Sequence, residues 1–313
     1  MPLGLSRCPR ARLWVASLLF PVGLSAQGVP LPASDPSTDP ARGGIVVMAH
    51  GGTPEWNQEV AAALRPIESR YPVELALGMA DAATIEAAIQ RLEGRGVTRI
   101  AVVRLFVSGE SWRERTAQIL GLRPGAPDRA HHPDHAAHGD THAAAFYRVA
   151  RRAAVTMSDA GLAEAEGMGR VLADRARGLS HSPAREQVLI LAHGPGDDAE
   201  NQRWLEWLDA RAETIRQDRP YADVRVMTLR EDWPEKRQEA VARIRAAVEA
   251  GTAVGLSTLV IPFRVQGFGP YAEVLAGLDY RADQAGLLPH PAVTAWIQAE
   301  ADRMLGTPPA IIP

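Results

Sequence analysis

Two apolar runs of the same form punctuate the chain. Ile45-Val46-Val47-Met48-Ala49 ends in His50-Gly51-Gly52, and Val188-Leu189-Ile190-Leu191-Ala192 ends in His193-Gly194-Pro195-Gly196. A short continuous apolar run bounded by glycine reads as a strand covered on both faces, the habit of parallel α/β sheets. After the first run the pattern predicts a helix over 55–69, a strand over 73–77, a helix over 83–94 and a strand over 100–107. Ile85, Ala88, Ile89 and Leu92 give the second of these helices its apolar stripe. After the second run the order returns: strand 188–192, helix 199–217, strand 224–229, helix 235–250, strand 256–263. Each half also ends alike, Gly161-Leu162 before a helix to Arg177 and Gly286-Leu287 before one to Leu305. Strands alternating with helices force parallel pairing with right-handed crossovers. The expected fold is therefore α/β: two duplicated lobes, each a short parallel sheet flanked by helices. Each histidine falls at the carboxyl end of a strand, where ligands bind in open α/β sheets.

The 313 residues suffice for two domains. Residues 1–26 read as a secretory signal peptide, with Arg7, Arg10 and Arg12 before a short apolar run and Gly23-Leu24-Ser25-Ala26 before cleavage. That run is too short to span a membrane. Residues 27–43, rich in Pro, Ser and Asp, read as a flexible leader. The first lobe is expected over 44–181, with an insertion at 124–142, and the second over 186–305. The protein is expected to be periplasmic or secreted, with no membrane span after cleavage. Its one cysteine, Cys8, lies in the expected signal peptide, which excludes disulfides and thiolate metal ligands from the mature chain. A net charge of −3 gives no sign of a nucleic-acid binder, and an anionic ligand would need a local basic patch.

The candidate chemistry centres on His50. A histidine at a strand edge followed by two glycines is badly placed as core filler, and neutral imidazole is the commonest protein metal ligand. His193 repeats the arrangement. The bland alternative is a histidine that caps the next helix. Two other chemistries drop out. Histidine phosphatases need an arginine just before the histidine, where Ala49 stands, and the chain has no Gly-x-Ser-x-Gly elbow of a lipase. The insertion holds a second constellation, His131, His132, His135, His138 and His142, read from composition as metal-binding, with a solvated loop as the alternative. Trp56, Trp112, Trp204 and Trp207 lie near the expected cleft mouth, the last two in helix-packing register. Arg104, Arg113, Arg115 and Arg264, on or after the third strands, could meet an anionic ligand's carboxylates.

The chain resembles the sirohydrochlorin chelatases, which insert cobalt or iron into a tetrapyrrole. The resemblance rests on Val47-Met48-Ala49-His50-Gly51 with Asn57, Thr84-Ile85-Glu86-Ala87-Ala88, and Val102-Val103-Arg104-Leu105-Phe106-Val107-Ser108-Gly109. Ala192-His193-Gly194 and Leu259-Val260-Ile261-Pro262-Phe263 extend it to the second half. It implies a metal chelatase, a lyase of the kind used in cobalamin biosynthesis, with no organic cofactor. Its partners would be a divalent metal (Co, Fe or Ni) and a tetrapyrrole. In that family a strand-one histidine and a second histidine after the third strand hold the metal. His50 matches the first, but Glu110 and Ser111 stand where the second is expected, so Glu110 becomes the candidate partner ligand and catalytic group. Glu110 could equally begin the next helix, where an acid suits the dipole. The other reading, favoured by export and by the missing histidine, is a non-catalytic extracytoplasmic carrier of metal or tetrapyrrole.

Overall fold

A computed structural model describes residues 43–129 and 144–306. The expected segments 1–26 and 27–42 and all five histidines of the 131–142 tract lie outside the described residues. The first half runs β1 (Gly43–Ala49), α1 (Pro54–Glu68), β2 (Val73–Leu77), α2 (Ala82–Gly94), β3 (Arg99–Arg104), α3 (Arg113–Ile119), β4 (Ala154–Met157) and α4 (Gly167–Leu179). The second runs β5 (Glu186–Ala192), α5 (Asp198–Asp218), β6 (Asp223–Thr228), α6 (Pro234–Ala253), β7 (Ser257–Phe263), α7 (Tyr271–Val274), β8 (Arg281–Ala282) and α8 (Pro291–Leu305). The two four-stranded sheets have the orders β2-β1-β3-β4 and β6-β5-β7-β8, with every pairing parallel. The duplicated α/β architecture is thus the observed one.

Both faces of the central strands are covered, as their unbroken apolar sequence demands. Ile45, Val47 and Ala49 of β1 face one cluster, which also holds Val188, Ile190 and Ala192 of β5. Val46 and Met48 face the outer helices of their own half, and Leu189 and Leu191 do the same in theirs. The halves therefore share one inner core. The last helix of each half leaves its own sheet to build it: α8 packs on β3 and α1, and α4 packs on α5 and β7. Asp302 of α8, almost wholly buried, is held there by the Tyr71 hydroxyl at 2.5 Å and by Arg70 at 3.2 Å. A buried carboxylate is tolerable only with such partners.

The third strand stops at Arg104, short of the expected 107. Arg104 is 1% exposed, and its guanidinium donates only to carbonyls: Ser158 from Nε at 2.9 Å, Ser111 at 2.9 Å, and Gly109 at 2.8 Å. That fan of bonds curls residues 105–111 back over the strand end. Burial away from any direct carboxylate partner lowers the Arg104 pKa to about 10.

Candidate metal and macrocycle site

The first strand of each half delivers its histidine by the same local device. β1 ends at Ala49, and Gly51 takes a φ of +82°, which turns the chain out of the sheet. Thr53 caps α1 by accepting the Trp56 N–H at 3.3 Å, with Pro54 at the first helical position. Asn57, one turn in, reaches back to Gly52: its Oδ1 accepts the Gly52 N–H at 3.0 Å, and its Nδ2 donates to the Gly52 carbonyl at 3.4 Å. His50 stands on this braced loop with its ring exposed. Its Nδ1 donates to the Gly51 carbonyl at 3.1 Å. A carbonyl only accepts, so this bond selects the tautomer that keeps the Nε2 lone pair available to a metal.

His193 has the same start and a different end. Gly194 takes a φ of +76°, Asp197 caps α5 at the Glu200 N–H, and His193 Nδ1 donates to the Gly194 carbonyl at 2.8 Å. Here, however, the chain leaving β6 stays with the histidine. Arg230 N–H donates to the His193 carbonyl at 2.6 Å, and this places the next side chains over the ring. Asp232 lies 3.1 Å and Glu231 3.9 Å from Nε2, and the Trp233 indole meets the imidazole edge-on at 6.2 Å between centroids. Both ring nitrogens face oxygen atoms of the protein, so the ring presents no open nitrogen edge while these contacts hold. Arg230 fills the loop below, bonded to the carbonyls of Pro195 and Gly196 and, at 2.8 Å, to Asp198.

In the first half the chain leaving β2 turns away instead. Gly78 N–H continues the ladder to the Ala49 carbonyl at 2.9 Å, and Asp81 then caps α2 at the Thr84 N–H, 3.0 Å. The other Asp81 oxygen accepts the Ala145 N–H at 2.9 Å. The acid that could have covered His50 is used to begin a helix and to pin the chain where it returns from the 130–143 segment. Arg115 completes that anchor by donating to the carbonyls of Ala80, Ala144 and Ala145 while stacking on Phe146.

Glu110 is not brought to His50 as an open ligand. Arg203 of α5 grips both its oxygens, Nε to Oε1 at 2.9 Å and an Nη to Oε2 at 2.7 Å. A bidentate guanidinium satisfies the lone pairs a metal would need. On the other side of the pseudo-symmetry Gln266, after β7, donates to Glu59 of α1. These two contacts join the carboxyl edges of the sheets across the halves. Among the described residues no group of three or more His, Cys, Asp or Glu side chains is arranged to hold a metal ion.

The arginines expected to greet an anion are otherwise engaged. Arg104 and Arg115 bind carbonyls, Arg113 pairs with Asp159 at 2.6 Å, and Arg264 pairs with Glu231 at 2.5 Å. Trp204 is buried and Trp207 packs on the shared core, as their helical spacing suggested. Trp112 is 40% exposed on a left-handed residue ahead of α3, beside Met79 of the β2 loop in its degree of exposure. Sequence reasoning missed Glu231, Asp232 and Trp233, the residues that close over His193. The signal available was their place in the loop after β6, opposite Ala80 to Ala82 in the repeat.

Residues 44–113 match the model of the CbiX family. No curated protein matches the chain in sequence. Among solved structures, SirB from Bacillus subtilis with Fe3+ superposes with a TM-score of 0.57 at 14% identity, over 84% of this chain and 96% of that one. The sirohydrochlorin chelatase SirB of B. subtilis subspecies spizizenii in complex with cobalt gives 0.53 at 14% identity, over 85% and 97%. CbiX, the terminal enzyme for biosynthesis of siroheme in denitrifying bacteria, gives 0.50 at 16% identity, over 84% and 98%. The first half thus contains a segment similar to the CbiX family, and the two described halves together share the fold of these chelatase structures.

Proposed function

We propose that the protein binds a divalent metal at His50 and inserts it into a tetrapyrrole. The observation that carries this reading is the exposed His50 ring, whose Nδ1 is committed to the Gly51 carbonyl, at the carboxyl edge of the strand where the family match falls. Metal is substrate here, and insertion needs a group that holds the ion weakly enough to release it. A single exposed imidazole does that better than a closed cage of ligands. Co2+, Fe2+ and Ni2+ all suit a nitrogen donor. The test is to mix the protein with Co2+ and either sirohydrochlorin or a dicarboxylate porphyrin and follow absorbance. A metal-dependent spectral shift that His50→Ala abolishes supports insertion; a shift no faster than in buffer overturns it.

A second reading is a carrier that binds metal or macrocycle without joining them. Glu110, the candidate second ligand, is occupied by Arg203, and this favours the carrier. Stoichiometric Co2+ binding without turnover would select it. For the histidines at 131–142 we propose additional metal binding. Deleting 131–142 should lower Co2+ stoichiometry in equilibrium dialysis, and equal stoichiometry would assign a solvated loop. We also propose export through residues 1–26. Mass spectrometry of native protein should find a chain starting near Gln27, and an intact Met1 would contradict it.

A further inference from the structure

The charge of the cleft mouth bears on which ring enters it. This rests on the tetrapyrrole reading above. The mouth is made by the loops that follow the strands and by the first turns of the helices after them. Arg104 and Arg115 there donate to backbone carbonyls. Arg113, Arg203 and Arg264 are matched by Asp159, Glu110 and Glu231. Arg230 and Lys236 share Asp198, at 2.8 and 2.6 Å, and Arg237 lies 4.0 Å from Glu273. Among the described residues these side chains are engaged within the protein, Arg104 and Arg115 by carbonyls that leave their charge in place, while Arg170 in the first turn of α4 is exposed. Residues 130–143 contain no lysine or arginine that could add one.

Acids outnumber the basic side chains in the same loops and first turns, where Glu55, Glu166, Asp197 and Glu235 stand without an arginine or lysine ion pair among the described residues. Glu59 meets the Gln266 amide and Asp232 meets the His193 ring, so among the described residues neither has an arginine or lysine partner. Burial first and the nearby Glu110 carboxylate second push the Glu200 carboxyl group upward, against a smaller pull from Trp204 and Arg203. Apolar surface stands at the same edge: Met79 and Trp112 are each 40% exposed and Trp233 38%. An acid-rich mouth attracts a divalent cation and repels a polyanion, because like charges brought together during docking cost affinity and slow encounter.

We infer that the mouth selects against polycarboxylate macrocycles such as sirohydrochlorin and takes a ring whose carboxylates are few or masked as amides or esters. Apolar faces of such a ring would lie against Trp112 and Met79, and no arginine would have to leave its present partner. Beyond Arg170, a polycarboxylate ring would find an arginine at the mouth only by displacing Glu110 from Arg203 or Asp159 from Arg113.

The experiment is a binding series on the full chain without metal, using quenching of tryptophan fluorescence. Uroporphyrin, coproporphyrin and mesoporphyrin carry eight, four and two carboxylates on comparable rings. Affinity should rise as carboxylates fall, with uroporphyrin at least about tenfold weaker than mesoporphyrin at low salt and the gap narrowing at high salt, where the repulsion is screened. The double variant Glu110→Gln/Asp159→Asn, which releases Arg203 and Arg113, should tighten uroporphyrin by about tenfold or more while leaving mesoporphyrin nearly unchanged. Uroporphyrin binding as tightly as mesoporphyrin to the parent protein would overturn the inference and leave metal insertion standing. No binding of any of the three, with Co2+ still bound, would remove the tetrapyrrole reading and this inference with it.

Discussion

His50 and His193 leave equivalent strands, precede equivalent helices and donate from Nδ1 to the next residue's carbonyl, yet one ring is open and the other is closed over. The difference lies one strand away. After β2 the chain turns off at Gly78 and spends Asp81 on the cap of α2, whereas after β6 it follows the His193 carbonyl and lays Glu231, Asp232 and Trp233 over the ring. A repeated histidine motif is therefore no guarantee of a repeated site. What a strand-edge histidine can do is decided by the loop leaving the neighbouring strand.

The largest effect should come from separating the two rings. In a Co2+ titration of protein lacking 131–142, His50→Ala should weaken the tightest remaining site by about a hundredfold or more, as loss of a principal ligand does. His193→Ala should stay within about threefold of the parent. Equal losses would place metal in both halves and erase the contrast.

Acid should next distinguish the two strand origins. β5 begins with Glu186 where β1 begins with Gly43. Burial acts to raise the Glu186 carboxyl, but hydrogen bonds from the Ser180 hydroxyl, the His181 and Ser182 N–H groups and Arg281 outweigh it and hold the pKa at about 2. The folded value lies below the unfolded one, so the stabilisation is complete above about pH 5 and fades as pH falls toward 2, about 3 kcal/mol in all. Urea unfolding at stepped pH should show that loss in the parent and a flatter profile in Glu186→Gln. Parallel profiles would remove Glu186 from the account.

A smaller effect probes the loops themselves. A Cβ at Gly196 would overlap the Trp233 indole, while one at Gly52 would sit 3.0 Å from the Trp56 Cγ, a contact that a shift of a few tenths of an ångström relieves. Gly196→Ala should cost about 1–3 kcal/mol by overpacking and Gly52→Ala under about 1. Thermal unfolding of the two variants measures it. If Gly52→Ala proved the costlier, the tight packing would belong to the His50 loop instead.

Much of this fold was legible because its central strands are continuous apolar runs and its helices carry regular stripes. The helices α1, α2, α5 and α6 and the strands β1, β2 and β5 fall close to where the pattern put them. The short edge strands β4 and β8 were not visible, since four and two residues carry too little periodicity. Nor was the exchange of α4 and α8 between the halves, because their apolar stripes do not say which sheet they cover. At the site, His50 and its glycine turn were legible from residue type. The fate of Glu110 was not, because Arg203 lies far along the chain on the other half's helix. Arg104 misled for a different reason: an arginine at a strand end reads as surface, and only the fold shows the carbonyls that converge on it.

The central claim is that the open imidazole of the first half, and not its closed counterpart, receives the metal. Imidazole NMR during addition of substoichiometric Co2+, with the two rings assigned from His50→Ala and His193→Ala, tests it directly. The account predicts that the His50 resonances broaden beyond detection through direct coordination while those of His193 keep their width. Loss of the His193 resonances with His50 unchanged would contradict it.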